Sequence, residues 1–290
     1  MNGRLLNIDE TLNAVCGAIS GAENELREQI KLYYNDANEE FITFAFYSHI
    51  KHKLSEATQN KLIEKAFLKD LKVALRHQRY SERTIDREIE RQLSRHAAGL
   101  VADIVLHNRS QEGKTGGDFG LVIVHPEIKT NSDSLVIKKG ASSGLLCQAK
   151  IRRKSGRWGD LSNQRDVLPA HLDFASLVLY SYLDGERSEL NPVAWKLCNG
   201  MTLPELEQLL KKDVFGETLM TVDVVRRLGR SEIGTNDQAM IDKIISPSAR
   251  QHLEIRIYWP KGDTPGGPVE IKVRKNQVVR QKVSVLVRRT

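Results

Sequence analysis

Two short apolar runs in the middle of the chain, the continuous Phe119 to Val124 (FGLVIV) and Gly144 to Ile151 (GLLCQAKI), apolar but for Gln148 and Lys150, constrain the fold most. Runs of this length, bounded by turn residues and rich in branched side chains, read as strands buried within a sheet. What surrounds them sets the architecture. Residues 1 to about 98 carry helical patterning, with long segments such as NEEFITFAFYSHIKHKLSEA and ERTIDREIERQLSRHAAG free of Pro and of Gly until the last turn. Strand signals begin at VADIVLHN (Val101 to Asn108), and the polar stretch RSQEGKTGG that follows supplies turn chemistry. An antiparallel hairpin of VADIVLHN with FGLVIV is therefore expected.

Beyond it, HPEIKTNSDS reads as a loop, LVIKKGASS and GLLCQAKI as strands, and RRKSGRWGDLSNQ as a second loop. LPAHLDFASLVLYSYL has helical apolar spacing and PVAWKLCNG looks like a further strand. LPELEQLLKK is an amphipathic helix, and the stretch from His252 onward is β-rich, with turns at Pro265 to Pro268 and at Asn276. The order helix, strand, strand, strand, helix, strand implies an α/β fold: a mixed central sheet with a helical N-terminal part and a β-rich C-terminal extension. Residues 1–95 form the helical part with the first core helix, 96–200 the sheet core and 201–290 the extension, expected to pack as one compact unit.

With 290 residues the chain can bury a full core, and 40% hydrophobic and 28% charged residues exclude a disordered or collagen-like polymer. No apolar run approaches the roughly 18 residues that span a bilayer. The start, MNGRLLNIDETLNAV, lacks a long apolar segment followed by a small-residue cleavage site, so a cytoplasmic location and no membrane partner are expected. Cys16, Cys147 and Cys198 are far apart with no CxxC spacing, which reads as buried reduced thiols. The formal net charge of +7 and a pI near 9.2 favour a polyanionic partner such as nucleic acid.

Chemistry concentrates on GLLCQAKI. Side chains alternate across a strand, so Gln148 and Lys150 project together from an otherwise apolar run. Burying that pair is costly without partners, and a carboxylate or metal-bound water is the natural one. Asp118, after Gly116 and Gly117 at the mouth of the FGLVIV strand, is placed to supply it. Phosphodiester hydrolysis needs a divalent cation held by oxygen ligands with positions left open for water and phosphate. Asp118 has the carboxylate for that and Gln148 an amide oxygen, while Lys150 can orient or help deprotonate the water and offset developing charge.

Two other acid-x-Lys triplets compete. Glu127 and Lys129 (PEIK) follow a Pro at a strand end or loop; Glu270 and Lys272 (VEIK) follow Asp263 and a Gly/Pro turn, as in a solvated hairpin. The eight histidines contain no HExxH, and His49 and His52 read as surface or packing residues. GKT at Gly113 lacks the glycine a P-loop requires at position 108, where Asn108 stands, and no GxSxG elbow occurs.

Over roughly residues 38 to 200 the chain resembles the PD-(D/E)XK, restriction-endonuclease-like, nuclease superfamily, in its standalone phage-defence members above all. GGDFGLVI is similar to the second-strand motif and QAK to the third-strand motif, with Gln148 where Glu or Asp is usual. The resemblance implies a restriction-endonuclease-like mixed sheet and a metal-dependent DNA endonuclease, an effector in phage defence, using magnesium with manganese as a substitute. RNA stays open as a substrate. It also implies a protein partner for activation or targeting, and a homodimer where both strands are cut. The superfamily commonly adds a Glu from the helix before the strands, and NEEFIT resembles that segment. Glu40, sharing a helical face with Thr43, Phe44 and Tyr47, is the first choice as a third metal ligand, with Glu39 and Glu90 as runners-up.

Gln164 and Tyr180, placed on the helix after QAK, match positions where related nucleases carry a Gln facing the site; Tyr180 also reads as core. The basic run Arg152, Arg153, Lys154, Arg157, with Trp158, adjoins the expected cleft and suits phosphates, with Trp158 stacking on an unpaired base. Arg274, Lys275, Arg280, Lys282, Arg288 and Arg289 form a second candidate grip on a nucleic-acid backbone. The rival to an enzyme is a non-catalytic nucleic-acid-binding or scaffolding subunit on a degenerate nuclease fold.

Overall fold

A computed structural model describes residues 4–33, 38–76, 99–106, 117–130, 134–152, 155–182, 190–245, 251–259 and 269–272. In chain order its elements are β1 (Arg4–Leu5), α1 (Asp9–Tyr33), α2 (Glu39–Gln59), α3 (Leu62–Arg76), β2 (Gly99–Leu106), β3 (Phe119–Thr130), β4 (Ser134–Ile151), β5 (Ala175–Tyr180), β6 (Ala194–Leu197), α4 (Leu203–Lys212), β7 (Leu219–Met220), α5 (Thr221–Gly229), α6 (Gln238–Ile245), β8 (Gln251–Trp259) and β9 (Val269–Lys272). The mixed α/β class expected from the sequence is present.

The strands form one mixed sheet in the order β2-β8-β3-β4-β5-β6-β7, with β1 pairing β3 and β9 pairing β4. Helices cover both faces. On one, α1, α2, α3 and α5 bury Leu26, Phe46, Leu71 and Leu228 against Phe119, Leu121, Cys147, Ala149, Val178 and Trp195. On the other, Leu206 and Leu210 of α4 and Ile241 and Ile244 of α6 meet Val122, Val124, Leu146, Leu177 and Leu179. The first core runs from Leu6 to Ile255 and so draws on the N-terminal, middle and C-terminal parts of the chain alike.

The helix starts follow capping chemistry. Asn38 precedes α2 and its side chain accepts the Phe41 N–H at 2.8 Å. Asp70 of α3 crosses over to the start of α1 and accepts the Glu10 N–H, the Thr11 N–H and the Thr11 hydroxyl at 3.0, 2.9 and 2.6 Å. Burial pushes the Asp70 carboxyl up from its ordinary range, against the pull of those hydrogen bonds. At α4, Glu205 reaches back to the Thr202 N–H and hydroxyl, at 2.7 and 2.8 Å.

Three expectations are corrected. VADIVLHN and FGLVIV do not form a hairpin, because β8 lies between them, antiparallel to β2 and parallel to β3. Leu253 and Ile255 of β8 are buried, so a strand far away in sequence fills the ladder position that a local reading gave to a neighbour. HPEIKTNSDS is strand at both ends: β3 runs to Thr130 with an irregularity at Val124/Pro126, where Pro126 has no N–H to give, and LVIKKGASS and GLLCQAKI fuse into the single strand β4. LPAHLDFASLVLYSYL is no α-helix. Leu168–Phe174 is a 3₁₀ turn and Ala175–Tyr180 is β5, parallel to β4 and buried at all six positions. An unbroken apolar run fits a helix or a doubly covered strand equally well, and burial on both faces settles it.

Candidate active site

The site lies where β3 and β4 part. Phe119 of β3 is paired with Cys147, and Asp118 adds one more ladder bond, its N–H donating to the Cys147 carbonyl at 2.9 Å. Past that point no strand among the described residues pairs β4 on this side, and carboxylates take over the acceptor role. Asp118 Oδ2 accepts the Ala149 N–H at 2.8 Å, and Glu39 Oε2 accepts the Ile151 N–H at 3.0 Å. Gly117 lets Asp118 sit this close, since a Cβ there would collide with Leu146.

Gln148 is 1% exposed and Lys150 5% exposed, the buried polar pair that strand alternation requires. The Gln148 amide nitrogen donates to Asp118 Oδ2, which leaves the amide oxygen outside that hydrogen bond. That oxygen, Oε1, is buried with no hydrogen-bond partner. A buried amide oxygen left without a donor costs about 1–3 kcal/mol unless a cation or water satisfies it. Lys150 Nζ lies 3.8 Å from Glu39 Oε1, so Glu39 links the strand's last N–H to the ammonium. Gly159 closes the other side: a Cβ at this position would stand 3.5 Å from Lys150 Cδ and 3.7 Å from Glu39 Oε2.

Asp118, Gln148 and Lys150 are thus brought together. Glu40 is not the acid that joins them. It is exposed, whereas Glu39 lies on the stripe that continues through Thr43, Phe46, Tyr47, Ile50 and Leu54, all buried. Phe44, used in the sequence to orient the helix, is 45% exposed and so belongs to the outer face with Glu40. Tyr180 is on β5 rather than a helix; it is buried and its hydroxyl meets Thr43 Oγ1 at 3.3 Å. Burial dominates in holding that phenol far above its usual pKa. Gln164 sits in a 3₁₀ turn, Ser162–Gln164, with its own amide oxygen buried and unpartnered.

Of the basic run, Arg157 is exposed, while Arg152 and Trp158 are both held by Asp213, a residue the sequence did not single out. Trp158 is half-buried, and its ring meets Phe215 in a T-shaped contact with centroids 5.1 Å apart. Glu127 pairs with Lys138 at 2.9 Å near the far end of β3, and β9 with Glu270 pairs the opposite end of β4, so neither rival triplet reaches the Gln148 cleft. His49 binds Gln29 and Glu25, and His52 is exposed. Glu90, Arg153, Lys154, Asp263 and the basic residues from Arg274 to Arg289 lie outside the described residues. All three cysteines are buried and free.

The donors suit an oxygen-liganded divalent cation: one carboxylate, one orphaned amide oxygen and a second carboxylate close by. Among the described residues no group of three or more His, Cys, Asp or Glu side chains converges as a metal site, so a cation here depends on the Gln148 oxygen. Nor is any described helix long and apolar enough to cross a membrane. No family model, no curated protein and no solved structure matches the chain.

Proposed function

We propose that the chain is a metal-dependent nuclease that hydrolyses DNA phosphodiester bonds on a restriction-endonuclease-like fold. The observation that carries this reading is the Gln148 amide: fully buried, anchored through its nitrogen on Asp118, and left with an unsatisfied oxygen beside a buried lysine. Asp118 and, through Oε1, Gln148 would hold the cation, magnesium with manganese as a substitute. When bound, the cation supplies positive charge to the phosphate and acidifies a water. Lys150 faces the same cleft and donates to that water or to the phosphate oxygens, countering charge that builds up as the bond forms. Glu39 orients the ammonium through its 3.8 Å ion pair while anchored to the Ile151 N–H.

A second reading has an observation of its own. Asp118 Oδ2 already accepts two N–H groups and Gln148 brings no charge, a pattern that also suits a nucleic-acid-binding subunit whose metal site has decayed. Supercoiled plasmid and linear single strands, incubated with magnesium, manganese or chelator, separate the two. Cutting that needs metal and vanishes in Lys150→Ala establishes the enzyme; intact substrate throughout, with salt-dependent binding unaffected by chelator or by that variant, establishes the subunit.

A further inference from the structure

Arg152 continues the row of Gln148 and Lys150. Its N–H donates to the Tyr180 carbonyl at 2.9 Å, so the chain stays extended beside β5 and the period of two places Arg152 on the same face as Lys150. The loop that follows returns at once. Arg152 bridges to Trp158, and the Gly159 N–H donates to the Ile151 carbonyl at 3.3 Å, which sets Gly159 against Lys150. From the two ends of this loop, two donors converge on one carboxylate. Arg152 Nη2 lies 2.6 Å from Asp213 Oδ2, and Trp158 Nε1 donates to Asp213 Oδ1 at 2.6 Å.

Asp213 ends α4 in the left-handed region, with φ 56°. Gly and Asn are the usual residues there, so nothing in the backbone calls for a negative charge. What the carboxylate does is fill an anion position built by a guanidinium and an indole N–H whose ring is fixed by Phe215. Two oxygens of one anion, taken by a charged fork and a directed N–H, is the arrangement by which proteins hold a phosphodiester. The Arg152 and Asp213 side chains are 41% and 38% exposed, and an exposed ion pair holds weakly, so a polyphosphate strand that releases counterions on binding can replace it.

We propose that Arg152 and Trp158 Nε1 form a phosphate subsite beside Lys150, occupied in the substrate-free protein by Asp213, and that a flanking phosphate of the bound strand enters by displacing that carboxylate. The subsite rests on the nuclease reading, because it assumes that the strand reaches Lys150. Trp158 then serves through its indole N–H.

The test is equilibrium binding of a short fluorescein-labelled DNA oligonucleotide in chelator, across a salt series, to wild type, Asp213→Asn, Arg152→Gln and the double variant. Asp213→Asn keeps the left-handed conformation and removes the competing charge, and it binds about two- to fivefold more tightly. Arg152→Gln binds more weakly, with the slope of log affinity against log salt shallower by about 0.7–0.9. The double variant matches Arg152→Gln, since a gain that acts through Arg152 cannot appear without it. Asp213→Gly serves as the second variant should the Asn protein fold poorly. Equal affinity of wild type and Asp213→Asn, or a gain that persists in the double variant, overturns the subsite alone. Absence of oligonucleotide binding by every protein at low salt overturns the nucleic-acid reading, and the subsite with it.

Discussion

Glu39 and Glu40 are adjacent and chemically identical, yet only one belongs to the site. Glu39 contacts Lys150 and the end of β4, while Glu40 faces outward. Glu39→Gln keeps an acceptor for the Ile151 N–H but loses the charge beside the ammonium, so metal-dependent plasmid cutting falls by about tenfold or more, a loss in the range set for one positioned charge in an active site. Glu40→Gln stays within about twofold of wild type. A plasmid assay in which Glu40→Gln is the damaged protein reverses the assignment. Gln148→Glu tests the orphaned oxygen: a carboxylate there repels Asp118 and loses the amide hydrogen bond, so the metal-free protein melts lower, and magnesium raises its melting temperature more than it raises that of wild type. Equal magnesium shifts in both proteins would count against a cation between these residues. The pairing of Asp118 with Gln148 and Lys150 was legible in the sequence because strand periodicity is strict. The choice between Glu39 and Glu40 rested on which helical stripe is buried; Phe44 points to one stripe and Phe46 to the other, and only packing against β4 decides.

At the scale of elements, β3, β4 and the segment between α5 and α6 share a polar cluster in which His125 and Ser143 are buried and Ser231 and Asn236 reach the surface. Ser143 donates to Asn236 Oδ1 at 2.8 Å, and with its one proton used it accepts from Ser231 at 2.8 Å and from His125 Nε2 at 3.3 Å. That pattern calls for a proton on His125 Nε2, and burial of the ring favours its neutral form. Burial holds its pKa down at about 4, against an ordinary 6.5. The folded state then binds fewer protons than the unfolded chain between these values. His125 contributes no penalty above pH 6.5, and stability is lost as pH falls from 6.5 toward 4, by about 3 kcal/mol in all. Urea denaturation from pH 7 to 4 is expected to show this decline, and His125→Gln to flatten it; parallel curves for the two proteins would remove His125 as the cause. Local patterning identified β3, β4, β6 and α4 but misassigned β5, where six consecutive buried residues leave no period to read. Continuous burial erases the alternation on which such readings depend.

For the whole molecule, the sheet order was the part least visible in advance. Hydrophobic pattern shows that a segment such as HLEIRIYW is a strand but carries no information on which neighbours it takes. Here β8 sits inside the sheet, His252 level with Gly120 of β3 and Leu106 level with Gln251. Its insertion also moves β2 away from β3, so the helical N-terminal layer is anchored to a sheet that the C-terminal third completes.

That interior strand has a consequence for how the protein is made. On a ribosome, β2 and β3 emerge long before β8, and until residues 251–259 follow, both present unpaired backbone edges to the cell. Folding must wait for the last third of the chain, so a nascent or truncated product ending before Gln251 is expected to remain open, bind the dye ANS and aggregate, while the full-length protein refolds in a slow step that closes β8 into its gap. A cell that makes this protein therefore gains a delay of its own: any cutting activity assembled across this sheet appears only once residues 251–259 have been made.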